Sequence, residues 1–148
     1  ERQSAEQRVQ EWGLENQVCF HGYVSDIERY YRMLDVLILP SFTEGTPLVV
    51  LEAMTFGLAI IATRVGGIPE ILADGENGII INPGSADELA AAIAYLLDNQ
   101  ERIDDLGTNA IQRVAALCSR DEWERTLCTV YSSLLELHGK HDRGGNEH

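Results

Sequence analysis

The chain has 148 residues, with 11 Lys+Arg against 24 Asp+Glu, a formal net charge of −13 at pH 7, and 45% hydrophobic and 24% charged residues. At about 100–200 residues per domain it can bury one core, and this mixture argues against disorder or a coiled coil. Lys140 is the single lysine, and no Lys/Arg-rich run exists to release counterions from a polyanion, so nucleic acid is not an expected partner.

A small anion such as a diphosphate can still be held by local backbone N–H groups, so the acidity does not exclude a nucleotide. Cys19, Cys118 and Cys128 form no Cys-x-x-Cys pair, which leaves a reducing compartment, the cytoplasm, as the default. The longest apolar stretch, Leu89 to Leu97, falls well short of the ~18 residues that mark a membrane span, and no signal peptide is expected.

In chain order, residues 1–12 are polar and helix-favouring and end at Trp12-Gly13, as a helix C-terminus should. Val18-Cys19-Phe20-His21 reads as a short strand stopped by Gly22. Ser25-x-x-Glu28 then reads as a capping box opening a helix to about Leu34. Val36-Leu37-Ile38-Leu39 is a second strand closed by Pro40, and a helix is predicted from about Pro47 to Phe56, with Gly57 past its end.

Ala59 to Ala62 is a further strand, followed by the Gly66-Gly67 loop, a short helix near Pro69 to Leu72, the turn Asp74 to Gly78, and a strand Ile79 to Ile81. Ser85-x-x-Glu88 is a second capping box before a helix to Asp98. Residues 101–118 and 120–138 continue as helices, and 139–148 form a flexible polar tail. Apolar strands without polar alternation, separated by helices, predict an α/β fold: a Rossmann-like open parallel sheet with helices on both faces. Ligands in such sheets sit beyond the carboxyl ends of the strands, which nominates loops 21–25, 40–47 and 63–68.

Within Ser41-Phe42-Thr43-Glu44-Gly45-Thr46-Pro47, Gly45 gives backbone freedom and Pro47 is set for the first helical position. Free N–H groups at residues such as Thr46 and Leu48 would then point at a phosphate, aided by the helix dipole. Glu52 lies about 7 to 8 Å along the axis from Pro47 at 1.5 Å per residue, a span that suits one extended ligand. A diphosphate at the helix end would leave Glu52 to accept from ribose hydroxyls and Glu44 from hydroxyls of the group carried. Taken alone, Glu44 reads equally as an acid favouring the helix N-terminus. Glu52, interrupting an apolar helix, calls for a ligand or a partner such as an Arg.

The run Asp35 to Met54, with Glu44 and Glu52 separated by seven residues, resembles the Glu-x7-Glu signature of retaining GT-B glycosyltransferases of group 1. Phe20-His21-Gly22-Tyr23-Val24, Ala62 to Gly67 with Glu70, Asn77-Gly78, and Asp87 to Ile93 follow in the order of that family, and the resemblance covers about residues 5–135.

The resemblance implies the C-terminal half of a GT-B fold, truncated at its N-terminus, with residues 1–138 a partial nucleotide-sugar-binding domain. The reaction implied is sugar transfer from a UDP-, GDP- or ADP-sugar with retained anomeric configuration, without a metal or further cofactor. Glu52 would bind the donor ribose, Glu44 the donor sugar in a catalytic supporting role, and Gly45, Thr46, Pro47 and Leu48 the pyrophosphate and sugar. Tyr23 and Val24 would meet the nucleobase through their backbones.

Such enzymes bind their acceptor in an N-terminal domain and carry, earlier in the donor domain, a Gly-rich loop, an Arg and a Lys that neutralise the diphosphate. None of these is in this sequence, so the segment alone is expected to be inactive. Peripheral membrane association of the parent is compatible with the resemblance. Readings of other classes are a GT-B-like epimerase, hydrolase or phosphorylase, and a non-catalytic nucleotide-binding subunit.

His21 reads as structural, and with His138, His141 and His148 in the tail region no metal cluster is suggested. Gly66-Gly67 lacks the Gly-x-Gly-x-x-Gly fingerprint and reads as a loop allowing close approach of backbone to ligand. Trp123, Tyr131, Leu134 and Leu135 read as a packing stripe.

Overall fold

The computed structural model describes residues 2–119; the expected helix at 120–138, its packing stripe and the 139–148 tail lie outside the described residues. The chain divides into two units, residues 1–30 and 31–148.

In the first unit, α1 (Arg2–Glu11) ends in a Schellman turn. Gly13 takes φ +66°, its N–H donates to the Gln10 carbonyl, and that of Leu14 donates to the Val9 carbonyl. Arg2 bridges Glu6 at 2.7 Å and donates to the Phe20 carbonyl at 3.1 Å. Val18 to His21, expected as a strand, form none. An apolar run becomes a strand only where a neighbour completes its ladder, and these residues have no strand partner among the described residues.

The helix α2 (Ile27–Tyr31) begins later and ends earlier than expected. Its cap is Asp26 rather than Ser25, the Arg29 N–H donating to Asp26 Oδ1 at 3.4 Å.

The second unit is built on three parallel strands in the order β1 (Val36–Leu39), β2 (Ala59–Thr63), β3 (Ile79–Ile81), with Val36 opposite Ala59 and Ile61 opposite Ile79. Every residue of the central strand β2 is buried, which explains why its sequence shows no polar alternation. Side chains alternate across it. Ile60 and Ala62 pack with Val50, Ala53 and Met54 of α3 (Leu48–Thr55) and with Ile68 and Ile71 of α4 (Ile68–Ile71). On the opposite face, Ala59 and Ile61 pack with Ile81 and with Ala92 and Leu96 of α5 (Ala86–Asp98).

The long helix α6 (Glu101–Leu117) serves both cores, giving Leu106 to the second and Ala110 and Val114 to the first. It crosses the α3–β2 turn at backbone contact: a Cβ on Gly107 would strike the Gly57 carbonyl, and Gly57 takes φ +70°. The expected parallel sheet covered on both faces is therefore present.

The Ser85 box is only half formed. Ser85 Oγ accepts from the Glu88 N–H at 3.3 Å, but the Glu88 carboxylate closes on Asn82, whose backbone N–H lies at 2.7 Å and side-chain amide at 2.8 Å. These hydrogen bonds, first that of the Asn82 backbone, hold the Glu88 carboxyl below its usual range, with a smaller contribution from Arg64.

Candidate functional site

The carboxyl ends of β1 and β2 run into loops 40–47 and 64–67, which are tied to each other. Thr63, almost fully buried at the end of β2, donates from its hydroxyl to the Ser41 carbonyl at 2.6 Å. The Gly67 N–H donates to the Gly45 carbonyl at 3.0 Å. Gly66 takes φ +52°, and a Cβ there would occupy the place of the Glu44 carbonyl. The glycine pair, expected to let backbone approach a ligand, here lets one loop's backbone lie directly on another.

On that platform Glu44 is half-buried, and the Ser41 hydroxyl donates to its Oε1 at 2.6 Å. Gly45 and Thr46 are exposed and Pro47 is buried. Pro47, expected as the first helical residue, instead precedes the helix with φ −79° and ψ 85°, and the Leu48 N–H folds back to the Thr46 carbonyl at 3.0 Å. This is an inverse γ-turn, so Leu48 is not the free donor the sequence suggested. Among the described residues no side chain caps α3.

Glu52 follows Leu48 by four residues, about 6 Å along the axis rather than the longer offset counted from Pro47. It is exposed, not buried in the apolar helix face. Its partner is the Tyr31 hydroxyl, which donates to Oε2 at 2.8 Å, rather than an Arg. Burial, then the hydrogen bond to Glu52 and its charge, push the Tyr31 phenol up to about 12, so it stays a donor throughout the neutral range.

Sequence reasoning missed Tyr31, Ser41 and Thr63 as partners. Ser41 was within reach of it, three residues before Glu44, whereas Tyr31 lies 21 residues from Glu52 and Thr63 lies 22 from Ser41.

Tyr23 and Val24 belong to the first unit, Tyr23 exposed and Val24 half-buried. His21 lies edge-on to Tyr30 with ring centroids 4.9 Å apart, its Nδ1 3.2 Å from the Tyr30 hydroxyl, which suits a structural role. Among the described residues no three His, Cys, Asp or Glu side chains group to hold a metal ion, and no helix is long and apolar enough to cross a membrane.

The model of the family described as glycosyl transferases, group 1, matches residues 1–113. A D-inositol 3-phosphate glycosyltransferase of Catenulispora acidiphila is 36% identical over 110 residues, 72% of this chain and 25% of that protein. The C-terminal domain of the group 1 family glycosyl transferase LpcC from Francisella tularensis superposes with a TM-score of 0.73 at 34% identity, over 78% of this chain and 60% of that one. HepE of Anabaena, in complex with UDP, superposes with a TM-score of 0.78 at 26% identity, over 88% of this chain and 36% of that one. The chain spans about a quarter to a third of the length of the curated relatives it matches. By the match over residues 1–113 and by these relatives, the chain belongs to the group 1 glycosyl transferases of GT-B fold.

Proposed function

We propose that this chain supplies the donor-binding part of a retaining glycosyltransferase, working in the cytoplasm on a nucleotide sugar. Glu52 accepts hydrogen bonds from the donor ribose. The exposed backbone N–H groups of Gly45 and Thr46, just ahead of α3, hold the pyrophosphate with the help of the helix dipole, while Pro47 and Leu48 shape the turn behind them. Glu44 accepts from the donor sugar's hydroxyls and supports the positive charge that develops at its anomeric carbon as the diphosphate leaves.

One observation carries this reading: two carboxylates flank the start of α3, and each is oriented, among the described residues, by one hydroxyl, Ser41 on Glu44 and Tyr31 on Glu52. A carboxylate held at one oxygen keeps acceptor capacity for a ligand diol. UDP bound to the structural neighbour HepE supports a nucleotide as that ligand. The acceptor and the groups that neutralise the leaving diphosphate are assigned to other parts of the complete protein, so the 148 residues alone should not turn over.

The test is calorimetric titration of the complete protein with UDP, GDP and ADP, together with turnover and the anomeric configuration of the product by NMR. Glu52→Ala should weaken binding of the preferred nucleotide by about 10-fold or more, as expected for hydrogen bonds to a charged group. Glu44→Ala should keep nucleotide affinity and lose about 100-fold or more in turnover, the scale of one electrostatic stabiliser. Unchanged turnover in both folded variants would instead make this a non-catalytic subunit, and an inverted anomer would exclude retention.

A further inference from the structure

We propose that Tyr31 is a positioning residue for the donor site: its hydroxyl, 2.8 Å from Glu52 Oε2, aligns the carboxylate so that Oε1 is left to accept from a ribose diol. The inference rests on the donor-site reading of Glu52 given above.

The phenol is firmly held. Tyr31 is only 3% exposed, and its ring packs on Phe56, centroids 5.3 Å apart, at the end of the same helix that carries Glu52. The Arg32 guanidinium lies 5.3 Å from the Phe56 ring centroid, so Phe56 is itself in contact with a second side chain. Hydroxyl and carboxylate are therefore referenced to one rigid element, and an otherwise mobile, exposed glutamate acquires one preferred orientation. Glutamate loses appreciable rotamer freedom on being ordered, and a site that orders it beforehand spares the ligand that cost.

The donor's chemistry also fits. An Arg partner would engage both oxygens bidentately and offset their charge, whereas a single phenol O–H occupies one oxygen and leaves the carboxylate anionic. Because the phenol is pushed up to about 12, it does not ionise beside the carboxylate near neutral pH and remains a donor there.

The experiment compares binding of UDP, GDP and ADP with their 2′,3′-dideoxy analogues, in the complete protein and in Tyr31→Phe, Glu52→Ala and the double variant. Phenylalanine keeps the ring on Phe56 and removes only the hydroxyl. Tyr31→Phe should weaken the ribonucleotide by about 3- to 10-fold and leave the dideoxy analogue unchanged, since one hydrogen bond to a charged group acts only through Glu52. In the Glu52→Ala background, Tyr31→Phe should have no further effect.

A wild type that prefers the ribonucleotide while Tyr31→Phe keeps the full preference, or loses affinity for both nucleotides equally, would overturn the positioning role and spare the donor-site reading. A wild type that does not distinguish ribose from dideoxyribose would overturn the reading of Glu52 itself, and the role of Tyr31 with it.

Discussion

Two loops of the second unit, each carrying a glutamate beside glycine, make opposite uses of their polar groups. Ser41 to Pro47 and Asp74 to Gly78 are both short, polar and acidic, with glycine at or near the turn. In the second loop almost every polar group closes on the fold. Asn77 is buried, its side chain accepting from the Ala73 N–H at 2.6 Å and donating to the Ile71 carbonyl, and Asp74 Oδ1 accepts from the Ile80 N–H at 2.9 Å. Arg102 and Asn109 of α6 take the carbonyls of Gly75 and Glu76.

In the first loop the internal bonds run only as far as holding the platform: Thr63 to the Ser41 carbonyl, Ser41 to Glu44, Gly67 to the Gly45 carbonyl. Among the described residues, the second oxygen of the Glu44 carboxylate takes part in none of these bonds, and no side chain caps the start of α3. An acidic, glycine-bearing loop therefore indicates a site by which of its polar atoms the fold leaves unused, not by its composition.

Gly66→Ala would break the first loop most severely. It combines a left-handed φ, costing about 1–2 kcal/mol for a non-glycine residue, with a Cβ where the Glu44 carbonyl lies. Urea unfolding should show a loss of at least roughly 2 kcal/mol, with nucleotide affinity falling as the Gly45–Thr46 backbone is pushed aside. Unchanged stability and affinity would mean that the two backbones do not lie against each other as described.

Asn77→Ala sharpens the contrast. Removing a buried, fully engaged amide should cost about 1–3 kcal/mol in the same assay and leave nucleotide affinity untouched in the folded protein.

The smallest effect belongs to the third strand–helix junction, where Asn82 and then Arg64 hold the Glu88 carboxyl low. A depressed carboxylate contributes stability that is present above its unfolded pKa and lost as the pH falls through the folded one. Glu88→Gln should therefore be slightly less stable than wild type at neutral pH, with the gap closing on acidification through the carboxylate range. A gap that widened on acidification would contradict the sign of the shift.

Much of this was legible in the chain itself. The apolar runs at 36–39, 59–63 and 79–81 have no polar alternation: β2 is covered on both faces, β3 largely and β1 only partly, and glycine marked the ends of α1 and α3 through positive φ. The failures are equally specific. Val18 to His21 has strand propensity and no ladder, and Pro47 set a γ-turn ahead of the helix rather than its first turn. Both depend on what the neighbouring backbone offers.

What the sequence alone determined is the repertoire: a parallel α/β sheet, loops at the ends of its strands, and two glutamates eight positions apart on and beside one helix. Such features follow from periodicity, turn chemistry and spacing, which act over a few residues. The tertiary structure decided how the glutamates are held. It brought Tyr31 to Glu52 across 21 residues, Thr63 to Ser41 across 22, and Gly66 onto the Glu44 carbonyl. A hydrogen bond is satisfied by whichever group packing delivers within about 3 Å, and packing is a property of the whole core rather than of any local run.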